Sequence, residues 1–331
     1  MRNPNTVPAS IPTRLLGHTG IRVPVLGFGA ATLGGSYGPM ALSESERAVH
    51  AALAAGMNFF DTSPYYGNTE SERALGHCLR EVPRSAYILA TKVGRYGDQT
   101  FDFTAERVTA SVDESLARLR TDHIDLIQCH DIEFVSLQQI IDETLPALVH
   151  LKKIGKVRAI GITGYPLKIF RTVLAQAQVD SVLSYCHHTL LDDSLAGAVP
   201  WLQTQGVGIL NASPLAMGLL SPKGPPSWHP APAGMREACR QAATLCAERR
   251  TNLGTLALRF ALTLPGVAST FVGIGSVAEL HANLAALADN SAEKGAAFSA
   301  ESSAETLMQE VCAILAPWRN QPWSSGLSEN N

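Results

Sequence analysis

"IDLIQCHDIEFVSLQQIIDETLPALVHLKKIGKVRAIGITG" (Ile124 to Gly164) reads as strand, helix, strand, and that reading decides the fold. Ile124–Cys129 and Ala159–Ile162 are short apolar runs of strand length. Between them, Ser136–Ile154 has the apolar spacing of a helix. A helical crossover of this length makes the two strands parallel.

The same alternation extends outward in both directions. Further strands are expected at Val25–Phe28, Asn58–Asp61, Tyr87–Lys92, Ser181–Tyr185, Gly208–Ala212 and Thr270–Gly273. Helices are expected at Ser43–Ala55, Thr69–Leu79, Thr104–Leu119, Leu167–Ala175, Leu195–Gln205, Met235–Arg249 and Val277–Ala288. Ser43 and Thr104 stand where N-caps belong. Eight βα alternations predict an α/β fold with a parallel sheet, and eight strands close a (β/α)8 TIM barrel. The alternative, an open doubly wound sheet, lacks its signature. No strand-to-helix turn carries G-x-G-x-x-G, and "GFGAATLGG" (Gly27 to Gly35) misses that spacing. Pro214–Pro232 is rich in Pro and Gly and reads as a long loop after the seventh strand. After Asn290 come a polar spacer, an extra helix near Glu301–Ala316 and a C-terminal tail.

With 46% hydrophobic and 17% charged residues, the 331-residue chain can bury the core of a single barrel domain, here set at 14–331. Residues 1–13 have no apolar run and read as a disordered lead-in. A net charge of −3 argues against nucleic acid or an anionic membrane as partner. The apolar runs are short and interrupted, so no transmembrane helix is expected. Six cysteines with no C-x-x-C pair read as reduced, mostly buried thiols of a cytoplasmic protein. His187 and His188 have no third ligand at metal spacing, and no metal is expected.

Side chains at the C-terminal ends of parallel barrel strands meet in one mouth. The second strand ends in Asp61 and its loop carries Tyr66; the third ends in Lys92; the fourth runs into His130. Taken singly, Asp61 reads as a turn cap, Tyr66 as a half-buried tyrosine and His130 as a satisfied core histidine. Lys92 resists that treatment, because an ammonium closing an apolar strand needs a partner or a mouth to reach into. Together, at consecutive strand ends, they point to chemistry. A phenol of pKa about 10 is a poor acid or base at neutral pH. A neighbouring ammonium is expected to bring it down, an aspartate to hold the ammonium, and a histidine to orient a substrate oxygen. That set suits proton transfer at a carbonyl or carbinol oxygen, coupled to hydride exchange with a nicotinamide.

Asp61, Tyr66, Lys92 and His130, with "DTSPYYG" spacing the first two, resemble the catalytic tetrad of the aldo-keto reductase superfamily. "LGHTGIRVPVLGFGAATLG" is similar to that family's N-terminal β-hairpin and first strand, and "GITGYP" and "SPLAMGLL" are similar to its later strand ends. The resemblance runs from about Arg14 to Trp323. "YYGNTESERALG", "ATKVGRY", "CHDIEF", "LSYCHHTLLDDSL" and "GPPSWHPA" resemble the plant-type branch that oxidises L-galactose.

This resemblance implies oxidation of L-galactose, or a close analogue, at C1 by NAD. The product is the 1,4-lactone on the route to ascorbate, and Tyr66 is the general acid/base. The expected partner is this small-molecule sugar, for a monomer or weak homodimer. Carbonyl reduction with NADPH, oxidation of an L-fucose-type aldose, and a cofactor-sensing subunit are the other roles that fit. The cofactor is expected on Thr163, Ser213, Leu215, Gly218, Gly273, Gly275, Ser276, Glu279 and Asn283. Family members that prefer NADP carry a lysine and an arginine at the positions of Gly273 and Glu279, counted back from Asn283. Two family positions differ here: the usual Ser-Asn pair is Thr163-Gly164, and the usual nicotinamide-stacking aromatic is Ala212. By their place at strand ends, Asp131, Phe134, Tyr96 and His187 are expected to line the sugar site.

Overall fold

A hairpin leads into the fold: β1 (Thr13–Leu15) and β2 (Arg22–Pro24) pair antiparallel, with Arg14 opposite Val23. Leu16, Ile21 and Val23 plug one end of a barrel, packed with Phe59, Leu126, Leu183 and Phe271. The structure, a computed structural model, describes residues 11–293 and 303–331. The lead-in expected over 1–13 therefore lies mostly outside the described residues; Ile11 is buried and Thr13 opens β1.

Eight parallel strands follow: β3 (Leu26–Gly29), β4 (Phe59–Asp61), β5 (Ile88–Val93), β6 (Ile124–Cys129), β7 (Val157–Gly164), β8 (Ser181–Tyr185), β9 (Gly208–Ala212) and β10 (Val267–Gly273). They bond in chain order, and β10 pairs with both β9 and β3 to close the barrel. Each expected strand is present. β10 starts earlier than Thr270 because a register shift between Val267 and Ser269 breaks the pattern of its first residues.

Around the barrel lie α1 (Leu42–Ala54), α2 (Glu70–Cys78), α3 (Ala105–Leu119), α4 (Leu137–Gln139), α5 (Leu145–Lys153), α6 (Lys168–Leu174), α7 (Leu195–Thr204), α8 (Ala233–Glu248), α9 (Leu253–Ala261), α10 (Val277–Glu293) and α11 (Ser303–Leu315). Thr104 caps α3, its Oγ1 accepting from the Arg107 N–H at 3.3 Å. Ser43 does not cap α1. That helix starts at Leu42 behind Ala41, which puts Ser43 inside the first turn. The helix expected over Ser136–Ile154 is broken by a π turn at Ile140–Thr144, between α4 and α5. Pro146 has no N–H for the carbonyl one turn back, which favours the wider turn. The spacing does not predict α9, which has nine residues with a glycine second. Its cap is Asn252, whose Oδ1 accepts from the Gly254 N–H at 2.7 Å. α10 runs past the expected Ala288. The expected start of the extra helix at Glu301 lies outside the described residues. Among the described residues, no helix is long and apolar enough to cross a membrane. All six cysteines are free, with Cys312 half-buried and the others buried.

After α11 the tail returns to the C-terminal face of the barrel. The Trp323 ring stacks on Tyr165 with centroids 4.9 Å apart. Glu133, just beyond β6, anchors the rest. Its carbonyl accepts from the Leu327 N–H at 2.8 Å and from Asn330 Nδ2 at 3.0 Å, and its Oε1 accepts from Ser325 Oγ at 2.9 Å. Burial, with Asp131 adding to it, pushes the Glu133 carboxyl up to about 8. A carboxyl raised in the fold binds its proton more tightly folded than unfolded. Its stabilising contribution is full below the ordinary glutamate range and is lost as pH rises through about 8. Between about pH 5 and about pH 9, the melting temperature should fall more steeply in the unmodified protein than in Glu133→Gln. Parallel declines would mean that another group titrates.

Candidate active site

β4, β5 and β6 are neighbours, and the chain at their C-terminal ends delivers Asp61, Lys92 and His130 to one mouth. Tyr66 arrives on the loop after β4, which lies backbone to backbone against the loop after β3. A Cβ on Gly67, where φ is +62°, would sit 2.0 Å from the Gly34 carbonyl oxygen, so only glycine permits this approach.

Lys92 joins the parts. Its Nζ donates to Asp61 Oδ1 at 2.5 Å, to the Thr62 carbonyl at 2.9 Å and to Tyr66 Oη at 3.3 Å. Asp61 Oδ2 accepts from Gln128 Nε2 at 2.8 Å. Lys92 is 1% exposed and Asp61 5%, a burial that charges tolerate only when paired and hydrogen-bonded. Burial alone would lower the Lys92 ammonium, but Asp61 and Tyr66 outweigh it and hold the group above its ordinary range. Tyr66 departs from the sequence expectation. Burial raises its phenol, Lys92 pulls the other way, and the net direction is upward. The phenol carries its proton at neutral pH.

Burial brings His130 down to about 3 despite Asp131, so its imidazole is neutral. Its ring meets Tyr66 edge to face, with centroids 5.5 Å apart. Its Nδ1 lies 2.9 Å from Ser63 Oγ and its Nε2 lies 3.6 Å from Asp131 Oδ2. Asp131 sits at φ 53°, donates its N–H to Thr163 Oγ1 at 2.9 Å, and pairs with Arg95. Arg95 lies over the Tyr65 ring at 4.0 Å and within 5.3 Å of both Phe101 and Phe134. Sequence reasoning missed Arg95, because a basic residue between glycines reads as a solvated loop. Tyr65 thereby gains a part: it carries Arg95 and donates its hydroxyl to Asp98 at 2.8 Å.

Asp131 and Phe134 thus stand with Arg95 next to His130. Tyr96, expected with them, instead turns to α3, where Arg107 covers its ring at 4.2 Å. Arg95, one residue earlier, takes the inward place. His187 is buried on Tyr165, ring centroids 4.4 Å apart, in the cluster that includes Tyr185 and Trp323.

The residues expected to hold a cofactor lie at the ends of β7, β9 and β10. Ser213, Ala216, Met217 and Gly218 all have positive φ within one turn. Such strain costs about 1–3 kcal/mol per non-glycine residue and clusters where ligands are clamped. Leu215 closes this turn, its carbonyl accepting from the Gly218 and Leu220 N–H groups at 3.1 Å. At the start of α10, Ser276 Oγ accepts from the Glu279 N–H at 3.1 Å, and Glu279 Oε2 accepts from the Gly275 N–H at 2.8 Å. Lys223, from the loop after β9, brings its Nζ to 3.8 Å from Glu279 Oε1. Gly273 lies against Thr32, and Asn283 is half-buried further along α10. Gly164 has a steric cause: a Cβ there would lie 2.2 Å from Ile169 Cδ1 and 2.7 Å from Glu133 Oε2. That buried Oε2 has no hydrogen-bond partner among the described residues. With the carboxyl raised to about 8 and Oε1 accepting from the Tyr165 N–H and from the Tyr185 and Ser325 hydroxyls, Oε2 carries the proton. An O–H next to Thr163 suits the carbonyl of a nicotinamide carboxamide, so these residues fit the cofactor.

Comparison with known proteins agrees with this geometry. The sequence model described as "Aldo/keto reductase family" matches residues 25–296. The chain is 47% identical over 325 residues to L-galactose dehydrogenase of Arabidopsis thaliana, covering 97% of this chain and 99% of that protein. It is 37% identical to D-arabinose 1-dehydrogenase of Saccharomyces cerevisiae, over 69% of this chain and 72% of that one. Among solved structures, the holo form of the aldo-keto reductase AKR11C1 from Bacillus halodurans superposes with a TM-score of 0.71 at 25% identity. That match covers 97% of this chain and 99% of the other.

Proposed function

This chain belongs to the aldo/keto reductase family, and from that premise we propose that it is an NAD-dependent dehydrogenase oxidising L-galactose at C1 to its 1,4-lactone. One observation carries the chemistry: Lys92 Nζ bonds at once to Asp61 and to Tyr66 Oη at the barrel mouth. The near full-length likeness to an L-galactose dehydrogenase supports the choice of sugar, and through it a place on the route to ascorbate.

Bound NAD supplies the acceptor for the C1 hydride. Thr163, Glu133, the Ser213–Gly218 turn and the start of α10 would hold it. The protein's own part is the proton. The Tyr66 phenol first gives up its own proton to solvent at the mouth, a loss that Lys92 favours while Asp61 keeps the ammonium in place. The phenolate Oη then takes the proton of the C1 hydroxyl. Neutral His130 orients the C1 oxygen without adding charge. Asp131 and Phe134, braced by Arg95, face the sugar. A protonated phenol is also what the reverse direction needs, so the net rise at Tyr66 favours carbonyl reduction as the second reading. We place the protein in the cytoplasm as a monomer or weak homodimer.

Cofactor choice follows from the start of α10. Gly273 and Glu279 offer no cation to a 2′-phosphate, and Glu279 presents a carboxylate that can accept from a ribose 2′-hydroxyl. Lys223, 90% exposed in its side chain, is the nearby cation and is already opposite Glu279. The unmodified protein should therefore have a clearly higher kcat/KM for NAD than for NADP. Glu279→Arg should narrow that gap with little loss of stability, since only the Oε2 bond to the Gly275 N–H goes and Ser276 still caps α10. Equal kcat/KM for the two cofactors in the unmodified protein would refute this assignment.

A further inference from the structure

Ser63 is fully buried between Asp61 and Tyr66, and its hydroxyl has two neighbours. The Tyr65 N–H, which can only donate, reaches Ser63 Oγ at 3.1 Å. His130 Nδ1 lies 2.9 Å away on another side. With Oγ already accepting from Tyr65, the acceptor for its own proton among the described residues is Nδ1. A hydrogen on Nδ1 would make Ser63 accept twice and leave its buried O–H unpaired. The far edge of the ring agrees. Nε2 is 3.6 Å from Asp131 Oδ2, where an N–H is attracted and a lone pair repelled. Burial keeps the imidazole neutral, so one of its two nitrogens bears the hydrogen.

We propose that Ser63 is a positioning residue that holds His130 as its Nε2–H tautomer, so that the ring presents a hydrogen-bond donor to the substrate oxygen. The role toward substrate rests on the dehydrogenase reading above; the tautomer itself does not. Ser63 acts only through His130.

Nitrogen NMR on histidine-labelled protein, with His130 identified by the signal lost in His130→Gln, reads the tautomer without substrate. The unmodified protein should show the hydrogen on Nε2. Ser63→Ala should shift His130 toward the Nδ1–H form and lower kcat on the order of 10-fold, with the Kd for NAD unchanged. Ser63→Thr keeps a hydroxyl and should restore both readings. A hydrogen on Nδ1 in the unmodified protein, or an unchanged tautomer in folded Ser63→Ala, would overturn the proposal. An Nε2–H ring with no turnover on any aldose would support it and count against the sugar reading instead.

Discussion

Tyr66→Phe should lose on the order of 10² to 10⁴ of kcat while still binding NAD. Its hydroxyl is the one proton carrier bonded to Lys92 at the mouth, and phenylalanine keeps the ring that packs edge to face on His130. Little else should change. Losing Oη leaves one Lys92 N–H without its acceptor, so stability should fall by about 1 kcal/mol while the fold is kept. Single-turnover rates and NAD titration by fluorescence separate the two quantities. Turnover near the unmodified level would mean that the proton travels by another route.

Lys92→Met should damage both stability and chemistry. Removing one partner of a buried pair leaves Asp61 with Gln128 as its one side-chain donor among the described residues, and such losses cost about 3–5 kcal/mol. The remaining activity should move to higher pH, because Lys92 is the one cause that pulls the Tyr66 phenol down by both charge and hydrogen bond. Adding Asp61→Asn removes the stranded charge. In urea titrations the double variant should recover most of the lost stability, yet it should stay as inactive as the single one. A double variant no more stable than Lys92→Met would show that the damage is packing, and that the buried charge was not its cause.

The barrel was legible because each strand is a short apolar run set apart from the next by a stretch of helical spacing, and that pattern is local. The tetrad was legible for the same reason: three of its members sit at strand ends and the fourth five residues beyond one. What escaped depends on contacts between distant segments. Arg95 looks solvated until Tyr65 and Phe134 close around it. Gly164 looks like a lost side chain until Glu133 is seen filling its space, and nothing in the tail's own sequence says that Glu133 will anchor it. The direction at Tyr66 was misjudged because the sequence names its charged neighbours but not its desolvation, which is the largest cause. Ser63 was passed over within a motif already quoted, since a serine beside a proline reads as an ordinary turn residue.

The central claim is the pairing of one sugar with one cofactor in one direction. Initial rates across a panel of L- and D-aldoses with NAD and NADP, beside aldehyde reduction with NADH and NADPH, test it in a single matrix of kcat/KM. The account predicts the highest value for L-galactose with NAD, with the lactone as product. Faster aldehyde reduction with NADPH, or a D-aldose preferred over L-galactose, would contradict it.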